Sequence, residues 1–173
     1  LAIYLEQNIK FWITLFYLCF VGFFSFLAIL NNINFLNSIN PLLYIYIIVY
    51  FPIINNRIIF ILFSFLYGLS IDIFTDSAAV HAAACVSLAY FRPIFLKLIF
   101  GMTYIHQVVK FKNIDLKQNL FYISSLTLFH HFILFFIEVF DSSKLILVFE
   151  KAIFTSIFTI LLIILLNLFL KNK

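Results

Sequence analysis

Residues 56–93 read NRIIFILFSFLYGLSIDIFTDSAAVHAAACVSLAYFRP, and this stretch decides the fold. One long apolar run begins at Arg57, a polar turn follows at Thr75, Asp76 and Ser77, and a second apolar run begins at Ala78. A helix needs about 20 largely apolar residues to cross the hydrocarbon core of a bilayer, because each residue rises about 1.5 Å. The two runs therefore predict a pair of transmembrane helices joined by a tight turn.

The composition of the whole chain also predicts a protein that lies in a lipid bilayer. Of the 173 residues, 65% are hydrophobic and 10% are charged, and the mean hydropathy is +1.16. Ordinary soluble domains are about half apolar and about one quarter charged, so a water-soluble fold is excluded. The net charge of +4 comes from 11 Lys and Arg residues that are scattered between apolar runs. Because they form no basic stripe, we predict a lipid bilayer and no nucleic acid as the partner.

Six apolar runs predict an all-α polytopic membrane protein, a six-transmembrane-helix bundle that forms one integral membrane domain. The predicted spans are 11–30, 36–54, 57–74, 78–100 with a break at Pro93, 119–140 and 145–170. The run at 36–54 reaches span length only if its first polar residues lie among the lipid headgroups, and Asn40-Pro41 suits a helix start there. The run at 11–30 is longer than the core of a signal peptide, and no A-x-A-like site follows it, so we predict an uncleaved span.

The positions of the basic residues predict the orientation. When six spans are threaded from a cytoplasmic N-terminus, nine of the eleven basic residues fall on the cytoplasmic side, and Lys144 and Lys151 lie near the outer side. This distribution follows the positive-inside rule and puts both termini in the cytoplasm. The basic connection at 101–119 then lies inside, where it acts as a topology determinant or contacts anionic lipid or a cytoplasmic partner.

Ionisable residues inside apolar runs need a partner, a cavity or a role, because lipid does not solvate their charge. Asp72 lies roughly 22 Å from the inner end of its helix, and His81 returns to a similar depth after the turn, so the two could meet. The other predicted buried polar residues lie on the last two spans: His130, His131, Glu138 and Glu150. The two histidines fall near mid-membrane and need partners on other helices.

Small residues predict which helices pack closely. The segment VHAAACVSLAY at 80–90 contains several pairs of small residues four positions apart, a spacing that lets helix backbones approach each other. Gly68 and Asp72 have the same spacing, so we expect the Gly68/Asp72 face to contact the face that carries His81. The residues predicted to set helix packing or bind a partner are Gly68, Asp72, His81, Ala82, Ala83 and Arg92. The simplest alternative is that they only close an intramolecular bundle.

The sequence lacks the motifs HExxH, GxSxG, Walker A and GxGxxG. His130 and His131 are adjacent, so on a helix they point about 100° apart and cannot chelate one ion as an i, i+4 pair does. We therefore predict no catalytic residue, no metal site, no cofactor and no enzymatic activity. A hydrolase assembled in space and a proton relay of dispersed His and carboxylate groups remain alternatives.

The stretch at 56–93 resembles the MreD family of rod shape-determining membrane proteins, in the form found in Bacteroidetes-type bacteria. The likeness is carried by Gly68, Asp72, the polar turn and the sequence His-Ala-Ala at 81–83. The segment HHFILFFIEVF at 130–140 is similar to the fifth span of that family, and the chain length and six-span layout agree. Ala78-Ala79 departs from the family pattern, which has Pro or Gly there, and this affects the expected conformation of the turn.

The resemblance implies a non-enzymatic subunit of the cell-elongation machinery in the bacterial inner (cytoplasmic) membrane. Such a subunit binds the transmembrane helix of MreC. Directly or indirectly, it helps couple MreB filaments to the RodA glycosyltransferase and its transpeptidase partner during peptidoglycan synthesis. The resemblance also implies a fold similar to the S-components of vitamin transporters, so a small-molecule-binding transporter subunit is the rival function. The sequence leaves open whether the chain forms a homodimer.

Overall fold

The structure, a computed structural model, describes residues 41–53, 56–101 and 114–171. Every regular element in these ranges is helical, which confirms the all-α fold class for the described residues. The helices are α1 Ile45–Val49, α2 Arg57–Thr75, α3 Val80–Phe100, α4 Leu116–Val139 and α5 Leu145–Lys171, and a 3₁₀ turn at Ser142–Lys144 precedes α5. The predicted span 11–30 and most of the basic connection at 101–119 lie outside the described residues.

Helices α2 to α5 are each long and apolar enough to cross a membrane. They contain 19, 21, 24 and 27 residues, which correspond to lengths of about 28 to 40 Å. The hydrocarbon core of a bilayer is about 30 Å thick. By length and composition, the chain is a multi-pass membrane protein with four candidate spans among its described residues.

The ends of these helices agree with the predicted spans to within three residues. The predicted break at Pro93 is wrong, because α3 continues through Pro93 to Phe100. A proline inside a helix removes one backbone hydrogen bond. Membrane helices tolerate this loss where neighbouring groups satisfy the freed carbonyl.

The long helices pack side by side in chain order, since α3 contacts both α2 and α4, and α4 contacts α5. Phe100 at the end of α3 lies beside Tyr122 in the second turn of α4, with ring centroids 5.5 Å apart, so these two helices run in opposite directions. The outward side chains are apolar and exposed, for example Ile73 and Phe169. In a bilayer this surface faces lipid.

Residues 41–53, which we call the buried segment, depart from the predicted span 36–54. Over the described part of that span only Ile45–Val49 is helical, a length of about 7.5 Å. The segment is enclosed by the bundle: Tyr44, Ile45, Ile48 and Val49 have no exposed surface. Non-helical backbone at membrane depth is tolerated where protein surrounds it and satisfies its polar groups. A continuous helix over 41–53 is therefore a wrong prediction.

Candidate functional site

Helices α2 and α3 approach most closely at Gly68. A Cβ atom at this position would lie 2.5 Å from Ala82 Cα and 2.8 Å from the His81 carbonyl oxygen, so a larger residue requires the backbone to shift. Ala82 is itself buried. The expected contact between the Gly68/Asp72 face and the face that carries His81 is present in the structure.

The Asp72 carboxylate caps the first turn of α3. Its Oδ1 accepts hydrogen bonds from the His81 backbone N–H at 2.9 Å and the Ser77 hydroxyl at 2.5 Å, and its Oδ2 accepts from the Ala82 N–H at 2.8 Å. Ala79, the N-cap residue, has no side-chain acceptor to offer. A carboxylate from α2 therefore satisfies amides that every helix start leaves free, where negative charge is also favourable. Asp72 and His81 do meet, but through the His81 backbone.

The His81 imidazole instead contacts Tyr44 of the buried segment. The Tyr44 hydroxyl lies 2.8 Å from His81 Nδ1 and 3.2 Å from His130 Nε2, so it bridges α3 and α4. The hydroxyl has one hydrogen and donates to only one imidazole. If both rings are neutral, the other imidazole must donate to the tyrosine oxygen, so the two histidines have opposite hydrogen-bonding roles.

His130 has one buried nitrogen without a partner. Its Nδ1 accepts from and donates to no group among the described residues. An unpaired buried N–H is rarer than an unpaired acceptor. We infer that the Nδ1 atom carries the lone pair, that His130 Nε2–H donates to Tyr44, and that Tyr44 donates to His81.

His131 belongs to a separate polar chain between α4 and α5. Its Nδ1 lies 2.7 Å from the Thr127 carbonyl oxygen and therefore carries the proton. Its Nε2 lies 3.4 Å from the Thr159 hydroxyl oxygen, and that hydroxyl donates to the Thr155 carbonyl oxygen at 2.8 Å and accepts from the Leu42 backbone N–H at 3.1 Å. Partners on other helices were expected for both histidines, but among the described residues only His131 has a hydrogen-bond partner on another long helix, Thr159, whereas His130 contacts Tyr44 of the buried segment.

Arg92 secures the other end of the buried segment. Its guanidinium donates to the Phe51 carbonyl oxygen at 2.5 Å and to the Tyr122 hydroxyl at 2.9 Å, and Tyr122 in turn donates to the Val49 carbonyl oxygen at 2.9 Å. Arg92 is 3% exposed. The predicted packing residue thus holds irregular backbone in place.

A third polar chain was not predicted from the sequence. The Tyr46 hydroxyl donates to Asn167, Asn167 donates to the Tyr50 hydroxyl, and Tyr50 donates to Asn119. This chain connects the buried segment to α5 and α4. A signal was present, because Asn119 and Asn167 are amides at the ends of apolar runs, and Tyr46 and Tyr50 are four residues apart.

Three predicted site residues are exposed, which contradicts the predicted burial of Glu138 and Glu150 and the packing role of Ala83, and leaves the partner-binding role of Ala83 as a prediction. Ala83 is exposed, because the α2 contact uses the adjacent Ala82. Glu138 and Glu150 are also exposed. Glu138 lies in the last turn of α4 and Glu150 in the second turn of α5, where carboxylates at the ends of the helices can turn away from the bundle and stay hydrated.

Asp141 lies in the connection between α4 and α5. Its Oδ1 accepts from the Ser143 hydroxyl at 2.7 Å and the Ser143 backbone N–H at 2.9 Å, and Lys144 Nζ lies 3.6 Å from Oδ2. The Ser143 hydrogen bonds, followed by the Lys144 charge, lower the pKa of Asp141 below its usual value. The carboxylate stays ionised in this turn at neutral pH.

No protein family, curated protein or solved structure matches this chain. Its functional interpretation therefore depends on the geometry above. Within the described ranges, no group of three or more His, Cys, Asp or Glu side chains is arranged to hold a metal ion. The arrangement holds an irregular segment among four helices and joins His81, Tyr44 and His130 in one hydrogen-bonded chain.

Proposed function

We propose that this protein is a non-enzymatic membrane scaffold subunit of a bacterial cell-elongation (rod) complex, similar to MreD. In this proposal it is a polytopic helical bundle of the S-component kind in the inner membrane, with both termini in the cytoplasm. It binds the transmembrane helix of MreC and, directly or through MreC, contacts MreB, RodA and the RodA transpeptidase partner. Cell shape and the location of peptidoglycan synthesis then depend on it.

One observation carries the proposal: four of the residues behind the MreD resemblance lie at one helix contact. Gly68 and Asp72 on α2 meet His81 and Ala82 on α3, at distances that leave no room for a ligand between them. A sequence pattern that serves helix packing suits a subunit whose role is to present helix surfaces to partners. A binding or catalytic pattern would instead line a cavity.

A scaffold also needs a surface that accepts a partner helix within the bilayer. Helix α5 offers one, since Ile157 and Leu161 on it are more than half exposed, at 54% and 52%. Apolar helices associate in lipid mainly through side-chain packing, so such a surface binds a partner helix without any polar site.

The test combines gene deletion with crosslinking in cells. We expect rod-shaped cells to become round without this protein, and a photoreactive residue at Ile157 or Leu161 to crosslink to a single-pass membrane partner. The matched control is the same residue at Ile73 on α2, which is 72% exposed on a different helix. Normal rod shape together with normal MreC recruitment after deletion would contradict the proposal.

A second candidate, a small-molecule-binding subunit like the S-components of vitamin transporters, is favoured by a different observation. Three buried polar atoms have no hydrogen-bond partner among the described residues: Thr127 Oγ1, His130 Nδ1 and Ser156 Oγ. Unpaired buried polar groups call for an explanation, and a polar ligand is one. A metabolite that co-purifies, or a rise in melting temperature with a vitamin, would support this candidate. If no metabolite co-purifies and no vitamin raises the melting temperature, this candidate is excluded.

A further inference from the structure

Positive charge gathers at one end of the helix bundle, which we call the basic end. Helices α2 and α4 begin at this end, and α3 finishes there. The described basic side chains on the terminal turns are Arg57, Lys97 and Lys117, against the described carboxylate of Asp115, and the buried Arg92 lies about 12 Å inward from the end of α3. By the positive-inside rule this end lies among the cytoplasmic headgroups, where anionic lipids are concentrated.

A cleft opens at the basic end, where the buried segment passes between α2 and α3. Its walls include Pro52, Ile53, Arg57, Phe60, Arg92 and Pro93, and its volume is about 40 Å³. That is room for about three water-sized groups, since one such group needs about 10 to 15 Å³ on this measure. The size fits the oxygens of one phosphate and excludes a whole metabolite.

The two arginines of the cleft differ in how firmly they are held. The Arg92 guanidinium is fixed by its hydrogen bonds to Phe51 and Tyr122 and lies 5.2 Å from the centroid of the Phe60 ring. The Arg57 side chain is exposed at the first position of α2 and makes no hydrogen bond or ion pair with any described residue. The cleft therefore combines a fixed charge in its wall with an exposed guanidinium that no described residue binds.

We propose that this cleft binds the phosphodiester group of an anionic phospholipid. Arg57 holds the phosphate oxygens through its paired N–H groups, a geometry in which guanidinium and phosphate match, and the buried Arg92 adds positive charge behind them. The source is a lipid because the mouth of the cleft continues into the lipid-facing surface. Ile59 and Ile94 are the sequence neighbours of the lining residues Phe60 and Pro93, are about half exposed at 52% and 49%, and offer apolar surface to the acyl chains.

The test measures lipid binding to the purified full chain in detergent by native mass spectrometry. The probes are phosphatidylglycerol and phosphatidylcholine with identical acyl chains. We expect phosphatidylglycerol to bind more tightly, with one molecule per chain more strongly retained than the rest. Arg57→Gln should weaken that site about fivefold or more, since it removes a charge-assisted pair. The matched control Lys117→Gln removes one exposed positive charge from the same end outside the cleft, and should leave the site unchanged.

Three results would overturn this inference. Equal weakening by Arg57→Gln and Lys117→Gln would assign the binding to general surface charge. Equal retention of the two lipids would remove the role of negative charge. Displacement of the lipid by millimolar inorganic phosphate would identify a free phosphate as the ligand. Arg57→Lys keeps the charge and loses the paired N–H geometry, so it should bind between the wild type and Arg57→Gln, and it provides the same comparison if Arg57→Gln does not fold.

Discussion

Among single residues, Gly68 and Asp72 do most to set how α2 and α3 pack. Gly68 lets the backbone of α3 approach α2, and Asp72, one turn further along, uses that closeness to reach the His81 and Ala82 amides. Neither role can be transferred to a neighbour, because a Cβ at position 68 would push α3 away from the carboxylate.

Gly68→Ala tests the close approach, because helix propensity predicts a gain in stability from this change and packing predicts a loss. Propensity alone would stabilise a helix by about 1 kcal/mol on replacing Gly by Ala. We expect a lower melting temperature instead, with a loss of about 1 to 3 kcal/mol, because the new methyl group overpacks the contact. Thermal unfolding of the purified protein in lipid nanodiscs measures the change. A gain in stability would contradict the geometry.

Ala82→Leu and Ala83→Leu form a matched pair for the same contact. The two alanines are adjacent on α3, but Ala82 is 1% exposed and Ala83 is exposed. The larger side chain should lower the melting temperature at position 82, where no room is available, and have little effect at position 83, where it faces lipid. Similar effects at both positions would mean that α2 does not pack there.

Asp72→Asn tests the cap. An asparagine retains one acceptor oxygen, so one of the two amides that Asp72 satisfies would lose its partner, and we expect a loss of about 1 to 3 kcal/mol. Asp76→Asn is the control, since Asp76 is exposed in the same turn and its φ of 53° is one that Asn adopts readily. That change should stay within about 0.5 kcal/mol of the wild type. Equal melting temperatures for both variants would argue against a capping role.

The sequence revealed the Gly68/Asp72 contact because both partners are close in the chain and joined by a short turn. It did not reveal that Tyr44 is the partner of His81, because 37 residues separate them and the contact depends on the path of the buried segment. It misplaced Glu138 and Glu150 because the runs around them are apolar on all sides, and such a pattern does not indicate which face turns inward.

Among the elements, the buried segment is the one that every long helix contacts. Tyr67 on α2 donates to the Tyr44 carbonyl oxygen, and Arg92 on α3, Tyr122 on α4 and Thr159 on α5 also bind segment backbone. The hydrogen bonds from these side chains satisfy backbone groups of the segment that a continuous helix would have paired internally. An apolar run cannot distinguish a short buried helix from a span by periodicity, which is why the sequence predicts a span at 36–54 with its helix starting at Asn40-Pro41.

Tyr122→Phe tests this role. The change removes two hydrogen bonds, to Arg92 and to the Val49 carbonyl oxygen, and we expect it to cost about 1 to 3 kcal/mol of stability. Tyr90→Phe provides the comparison, since Tyr90 is 61% exposed on α3 and the change should be close to neutral. Thermal unfolding of both variants under one condition measures the difference, and a neutral Tyr122→Phe would mean that the segment is held by packing alone.

For the whole molecule, the described charges predict orientation in the membrane. Arg57, Lys97 and Lys117 lie at one end together with Asp115, whereas four carboxylates lie at the other end together with two lysines: Asp76, Glu138, Asp141 and Glu150, with Lys144 and Lys151. The positive-inside rule puts the first set in the cytoplasm. The four long helices could be predicted from length and apolarity alone, but neither property determines how they surround an irregular segment.

Single-cysteine labelling in intact cells checks this orientation. In a chain whose own Cys19 and Cys85 are replaced, Ser143→Cys should react with a membrane-impermeant maleimide from outside. Asp115→Cys should react only after the membrane is permeabilised. The opposite pattern would invert the orientation and move the Arg57 cleft to the outer leaflet.

The cap that Asp72 supplies to α3 has a consequence for how the chain enters the membrane during synthesis. Until the start of α3 has emerged from the ribosome, the Asp72 carboxylate has no backbone amide to bind. If α2 entered the lipid alone, the carboxylate would be there without a hydrogen-bond donor. The translocon is therefore expected to release α2 and α3 together as a preformed hairpin, with the earlier helix held back until its acid has been neutralised by the later one.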